Sequence, residues 1–176
     1  MVAHRLRYEV EGWGAGELWF GAGTVLAHTL PSLAGGQDAL PPGGSGAPER
    51  TVADEATRAG AGFVPGLVQR VRHHLRGRPV DYADVPLDLT WCTSFQAELA
   101  EALRRVAWGE VVSYGELAAL AGRPRAARAA GTFCAENRFS LFLPCHRVVA
   151  ATGVGGYGAS GVALKRRLLA LEGIAL

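Results

Sequence analysis

Cysteine is scarce in this chain: Cys92, Cys134 and Cys145 make an odd number, and no C-x-x-C pair occurs. That excludes a disulfide framework and a cysteine zinc site, and it suits a reducing compartment. The five histidines are scattered without metal-ligand spacing, so no metal is expected. Long apolar runs are missing too. Nothing approaches the roughly 20 residues needed to cross a bilayer, and Met1-Val2-Ala3-His4-Arg5-Leu6-Arg7 carries no apolar signal region. The expectation is a cytoplasmic protein that makes no use of a membrane. A phosphate loop is absent as well. The glycine-rich run Gly153-Val154-Gly155-Gly156-Tyr157-Gly158 lacks the Gly-Lys-Ser/Thr ending and sits in no strand–helix unit.

What is present is an ordinary globular composition, 49% apolar over 176 residues, enough for one good-sized domain or two small ones. The net charge of +2 is unevenly spread. Residues 1–90 hold eight arginines against ten acids, whereas the remainder holds nine arginines and one lysine against six glutamates. A basic second half is permissive for a polyanion partner and no more.

Residues 5–30 read as a small antiparallel meander: Leu6, Tyr8 and Val10 alternate with polar residues, and glycine-rich breaks set off Leu18-Trp19-Phe20 from Thr24-Val25-Leu26. Periodicity then lapses into a Gly/Pro-rich loop at about 32–62. It returns as a helix carrying Phe63, Leu67, Val71 and Leu75, with His73 and His74 expected at its surface. The extended stretch that follows places a domain boundary near Leu89, giving domains of 1–89 and 90–176.

The second half is better punctuated. Thr93 with Gln96, and Ser113 with Glu116, have capping-box spacing. The first opens a helix expected to run to about Trp108-Gly109, the second a helix over 114–121. Gly122 stops that helix and Pro124 is expected to start the next, over 124–136. Two helices joined by so short a turn have helix-turn-helix spacing, which many non-binding helical hairpins share. The following helix is nearly smooth, with Ala126, Ala127, Ala129, Ala130 and Gly131, and only Arg125 and Arg128 reach out from it. Close approach to a partner and tight packing within the domain explain that pattern equally well. A short strand is expected over 139–143, and the last helix should turn Leu164, Leu168 and Leu171 inward and Lys165, Arg166 and Arg167 outward. Glu172, near the end of that helix, opposes the macrodipole, so a partner elsewhere is expected for it.

Between these elements lies Leu143-Pro144-Cys145-His146-Arg147-Val148-Val149. Proline fixes its own φ and biases the residue before it toward extended structure, so Cys145 leaves a stiff segment at a set angle. A thiol is a weak nucleophile and a thiolate a strong one, and an adjacent histidine can make the difference. A buried structural cysteine beside a satisfied histidine is the plainer reading of the pair alone.

The motifs taken together resemble the O6-alkylguanine-DNA alkyltransferases. The resemblance rests on Ser113-Tyr114-Gly115-Glu116-Leu117-Ala118, Ala126-Ala127-Arg128-Ala129-Ala130-Gly131, Asn137 and Pro144-Cys145-His146-Arg147-Val148-Val149, followed in order by Gly156-Tyr157-Gly158, Lys165 and Leu168-Leu169-Ala170-Leu171-Glu172-Gly173. It covers roughly 93–173. It implies an α/β (α+β) fold, with a small ribonuclease-H-like N-terminal domain and a winged-helix-like C-terminal domain. It implies transfer of an alkyl group from O6 of guanine to Cys145, once per molecule and without a cofactor. His146 would be the base, acting through a water, and Glu172 its orienter. Tyr114 would donate to the guanine ring and Asn137 would brace the active-site turn. Val148, Gly156, Tyr157, Ala159 and Ser160 would form the base pocket. The partner would be double-stranded DNA containing O6-alkylguanine, bound by a monomer from the minor groove through Arg125, Ala126, Ala127, Arg128, Ala129, Gly131 and Thr132, with Arg128 filling the space of the extruded base. Trp108 stands where the family commonly has proline. The rival readings are a lesion-binding sensor without transfer activity, a cysteine hydrolase and a winged-helix regulator.

Overall fold

The computed structural model describes residues 3–32 and 62–176; the Gly/Pro-rich stretch lies, apart from its two ends, outside the described residues. The chain opens with β1 (His4–Val10), β2 (Gly14–Gly21) and β3 (Thr24–Ser32), an antiparallel sheet in the order β1-β2-β3. Tyr8 and Val10 of β1 are buried while Arg5, Arg7 and Glu9 are exposed, the two-residue alternation of a sheet with one wet face. Ala22 and Gly23, both at positive φ, close the β2–β3 hairpin, as a two-residue turn of that hand requires. Gly16 is obligatory for a different reason. A Cβ there would stand 2.7 Å from the Tyr8 hydroxyl.

Helix α1 (Phe63–His74) buries Val64, Leu67, Val68, Val71 and His74. Burial of His74 corrects the surface expectation. It lies three residues after Val71 and seven after Leu67, on the apolar stripe, and only His73 is exposed. Helix α2 (Ser94–Arg104) has the full Thr93/Gln96 capping box. It ends four residues before Trp108, because Arg105 and Val106 close the last turn with tight bonds to Ala102 and Leu103. Strand β4 (Val112–Ser113) leads into α3 (Tyr114–Leu120), capped reciprocally by Ser113 and Glu116. Helix α4 (Ala127–Ala135) starts later than Pro124, since Arg123 to Ala126 form a turn closed by Ala126 N–H to the Arg123 carbonyl at 2.9 Å.

Residues 139–143 do not form the expected strand. Leu141 takes φ 71°, which ends extension, and a single parallel bridge from Phe139 to His28 is what remains of it. A one-turn helix, Cys145–Arg147, then passes into β5 (Val148–Val149), which pairs in parallel with β4. That pairing sets Ser113 opposite Val149, and so holds the start of α3 beside the segment leaving Cys145. A second short turn, Gly158–Ser160, precedes α5 (Gly161–Leu171). Here Lys165 departs from the outward expectation and is wholly buried.

One core joins these parts, running from Tyr8 and Phe20 through Val71 and Leu103 to Phe142 and Leu168. The exposed edge of β3 is covered by later segments, with backbone bonds from Val25 to Pro86 and Asp88 and from His28 to Arg138. His28 adds a side-chain clamp. Its Nδ1 lies 2.5 Å from the Ser140 carbonyl, which can only accept, so Nδ1 carries the proton and Nε2 receives the Tyr8 hydroxyl at 2.5 Å. Arg167 of α5 returns the favour from the other side, lying 3.5 Å over the Trp13 ring and donating to the Gly12 carbonyl.

Burial lowers the His28 pKa from 6.5 to about 4, so the folded chain keeps it neutral where the unfolded chain would protonate it. The unfolded state therefore binds more protons between those values, and stability must fall as pH drops from about 6.5 towards 4. At about 1.4 kcal/mol per unit, His28 alone costs about 2 kcal/mol at pH 5. Urea unfolding at pH 7 and pH 5 should show at least that loss, and equal stabilities would contradict a neutral buried His28.

Candidate functional site

The Cys145 thiol is buried at the head of the one-turn helix, with its backbone N–H bonded to the Leu143 carbonyl at 2.7 Å. Asn137 grips the turn at three points. Its amide nitrogen donates to the Cys145 sulfur at 3.0 Å and to the Leu143 carbonyl at 2.9 Å, while its oxygen accepts from the Phe139 N–H at 2.9 Å. Burial pushes the thiol pKa up; the Asn137 hydrogen bond, the Lys165 charge and the nearby Tyr157 hydroxyl oppose the rise. That hydroxyl is itself buried, without a hydrogen bond of good geometry among the described residues, and burial raises its pKa well above 10.

The two residues after Cys145 hold a buried carboxylate. Glu172, capping the end of α5, receives His146 Nε2 on Oε1 at 2.7 Å. Arg147 forks onto both oxygens, Nε to Oε2 at 2.9 Å and Nη2 to Oε1 at 3.0 Å, and donates its third bond to the Val106 carbonyl at 2.7 Å. The Gly109 N–H reaches Oε2 at 3.2 Å. Burial works against the carboxylate, but His146, the nearby His74 and Arg147 hold its pKa well below the usual range, so Glu172 is ionised. An ionised carboxylate only accepts. His146 therefore carries its proton on Nε2 and presents a bare Nδ1, buried and without a partner among the described residues. Burial lowers the His146 pKa to about 4 despite Glu172, so this nitrogen is free to take a proton.

On its open side the thiol faces a cavity of about 140 Å³ lined by Tyr114, Gly131, Cys134, Ala135, Cys145, Gly156, Tyr157 and Gly158. Tyr114 stands across it at the first position of α3. Small residues seat that ring: a Cβ on Gly131 would touch it at 3.8 Å, and one on Gly155, itself at φ 70°, would press its hydroxyl at 3.3 Å. Lys165 ties the walls together, its ammonium donating to the Val148 and Gly156 carbonyls at 2.5 and 2.9 Å. Burial lowers the Lys165 pKa, and negative charge on Cys145 or Cys134 would raise it.

The structure thus sets Cys145 and Tyr114 on one cavity with Gly156 and Tyr157 in its wall, while Asn137 holds the Cys145 sulfur and His146 pairs with Glu172 away from the lining. Val148, Ala159 and Ser160 are not among the lining residues. Val148 is buried in the core, and the Gly158–Ser160 turn exposes Ala159 and Ser160 to solvent. Cys134 and Ala135 take their place, reached by the helical step from Gly131. Arg128 is exposed on α4 and Arg125 in the turn before it; Ala129 and Thr132 are also exposed, while Ala126, Ala127 and Gly131 are half-buried. Arg147, Lys165 and His74 are the contributors that sequence reasoning missed. The adjacency of Arg147 to His146 was the available signal, and helical phase was the signal for the other two.

His74, His146 and Glu172 bring donor atoms within 4.8 Å of one another, the spacing of a metal-binding group. The carboxylate lone pairs, however, are already engaged by four N–H donors from His146, Arg147 and Gly109. A cation would have to displace them beside the Arg147 charge. Among the described residues no helix is long and apolar enough to cross a membrane.

Comparison with known proteins bears directly on this arrangement. The family model described as "6-O-methylguanine DNA methyltransferase, DNA binding domain" matches residues 94–174. The methylated-DNA–protein-cysteine methyltransferase of Methanopyrus kandleri is 39% identical over 127 residues, 71% of this chain and 94% of the relative. That of Metallosphaera sedula is 42% identical over 61% of this chain and 67% of its own length. Among solved structures, Mycobacterium tuberculosis OGT in complex with DNA superposes with a TM-score of 0.73 at 29% identity, covering 97% of this chain and 93% of that one. Identity at this level over nearly the whole of a relative settles the matter of descent: the chain belongs to the methylated-DNA–protein-cysteine methyltransferase family.

Proposed function

We propose that this protein repairs DNA by moving an alkyl group from O6 of guanine irreversibly onto its own Cys145. The observation that carries the reading is a buried thiol on a small cavity, followed in the chain by a histidine paired with a buried carboxylate. At rest the proton belongs on sulfur, because burial raises the thiol pKa and lowers that of His146. With substrate seated, the proton passes from sulfur through a water to His146 Nδ1. The sulfur then bonds to the alkyl carbon as the carbon–oxygen bond breaks. Glu172, ionised and held by Arg147, balances the charge gained by His146. Tyr114 donates its hydroxyl hydrogen to a guanine ring nitrogen, which makes the departing base a better leaving group. The thioether has no route back, so each molecule acts once and needs no cofactor. A sensor without transfer activity is not favoured, because the cavity retains its nucleophile.

The DNA partner is double-stranded and carries O6-alkylguanine. A cavity of about 140 Å³ with Cys145 in its lining suits a base swung out of the stack, since an enzyme cannot reach its target atom inside a duplex. We read α4 as lying in the minor groove on its small residues, with Arg128 inserted where the guanine was and Arg125 on phosphate. The protein acts as a cytoplasmic monomer. We read residues 1–89 as a ribonuclease-H-like domain and 90–176 as a winged-helix-like domain.

Two experiments test the reading. Intact mass after mixing with an O6-methylguanine duplex should rise by one methyl on Cys145 and stop at one equivalent; Cys145→Ala should show no gain yet still bind the duplex. Arg128→Ala should slow repair of duplex at least tenfold while leaving reaction with the free base nearly unchanged, since unstacking a base costs a few kcal/mol. Equal slowing on both substrates would remove Arg128 from base extrusion.

A further inference from the structure

His74 ends α1, and its ring is fully buried against the relay although it comes from the N-terminal half. Its Nε2 stands 3.3 Å from Glu172 Oε1, the same oxygen that receives His146 Nε2 at 2.7 Å. The two imidazoles meet nearly edge to face, with centroids 5.8 Å apart at 72°. Trp108 packs edge-on at 4.7 Å and Tyr82 stacks at 5.8 Å, so the ring cannot turn away to solvent. Neither nitrogen of His74 has a well-aligned hydrogen-bond partner among the described residues. A buried polar ring left short of partners is destabilising, and an aromatic hydrocarbon would fill the same space without that penalty. What the imidazole alone supplies is an N–H beside the carboxylate.

We propose that His74 is a positioning residue for alkyl transfer: as the second imidazole on Glu172 Oε1, it holds the carboxylate where His146 keeps its proton on Nε2 and its bare Nδ1 towards the thiol. The inference rests on the relay proposed above. Arg147 forks onto both carboxylate oxygens and Gly109 adds a donor on Oε2, which leaves Oε1 as the oxygen that His146 and His74 share. His74 pins Oε1 on the side of His146. The charged and titratable groups facing His74 are Glu172 from the end of α5, His146 and Arg147 from the one-turn helix, Tyr82 from the connection after α1 and His28 from β3. Burial lowers the His74 pKa against the opposing pull of Glu172, which favours the neutral ring, so it acts by the place of its N–H beside Oε1.

The test is the pH dependence of alkyl transfer from free O6-methylguanine to the full-length protein, which bypasses base extrusion. His74→Phe keeps the ring and removes both nitrogens; His74→Gln restores an N–H. The expected result is about a tenfold slower reaction of His74→Phe at pH 7, with the profile displaced by about one pH unit, and recovery of most of that loss in His74→Gln. A His74→Phe profile superposing on the parent overturns the inference. Glu172→Gln, measured alongside, separates the two readings. If its profile is unchanged the relay itself fails, and if it shifts while that of His74→Phe does not, His74 alone is ruled out. Imidazole nitrogen NMR of the unaltered protein gives a second check that does not depend on a variant folding. Protonation on Nε2 in both His74 and His146 supports the proposal, and a His74 protonated on Nδ1 overturns it.

Discussion

The interaction on which the structure depends is the hydrogen-bonded ion pair of Glu172 with Arg147. It is buried, bidentate and surrounded by a histidine ring and a backbone N–H. Such a pair is a weak source of net stability, because taking two charges out of water costs nearly what their attraction returns. Its value lies in what a broken pair would cost, since one unpaired charge in that place is worth several kcal/mol against the fold. The arrangement therefore enforces a geometry. It fixes the end of α5, the one-turn helix bearing Cys145 and the loop after α2 relative to one another.

Reactivity follows from that enforcement. A buried thiol with a raised pKa and a buried imidazole with a lowered one do not share an ion pair at rest. A single-use nucleophile gains from this, because a standing thiolate would be open to any electrophile or oxidant. Asn137 and Lys165 prepare the sulfur for charge without granting it, the first by donating directly and the second through its ammonium held between two carbonyls. Tyr114, seated on glycines at the opposite wall, completes a cavity that has donors and a nucleophile on different sides.

The N-terminal half contributes more than a platform. Its β3 edge pairs with the segment before Cys145, His28 donates to the Ser140 carbonyl, and α1 delivers His74 to the carboxylate. Leu141, at positive φ within that clamped segment, is a strained residue that persists because its surroundings over-determine it. The turn leading to the nucleophile is thus held from both halves of the chain.

Much of this was legible in the residue order. The meander announced itself by alternation, α2 and α3 by their capping boxes, and the reaction centre by the Pro-Cys-His-Arg run with a misplaced acid at the last helix end. Each is a local signal, set by side-chain period or by hydrogen bonds within four residues. The extended reading of 139–143 failed because an apolar run cannot reveal a single positive φ imposed by packing. The outward reading of Lys165 and the surface reading of His74 failed because charge and polarity argue for water unless distant partners replace it. Two carbonyls from β5 and the glycine loop do so for Lys165, and a carboxylate some hundred residues away draws in His74. Sequence by itself determined the meander, the capped helices and which residues have the chemistry. Tertiary structure alone decided which polar groups are buried together, because desolvation and pairing depend on neighbours that the chain supplies only once it has folded.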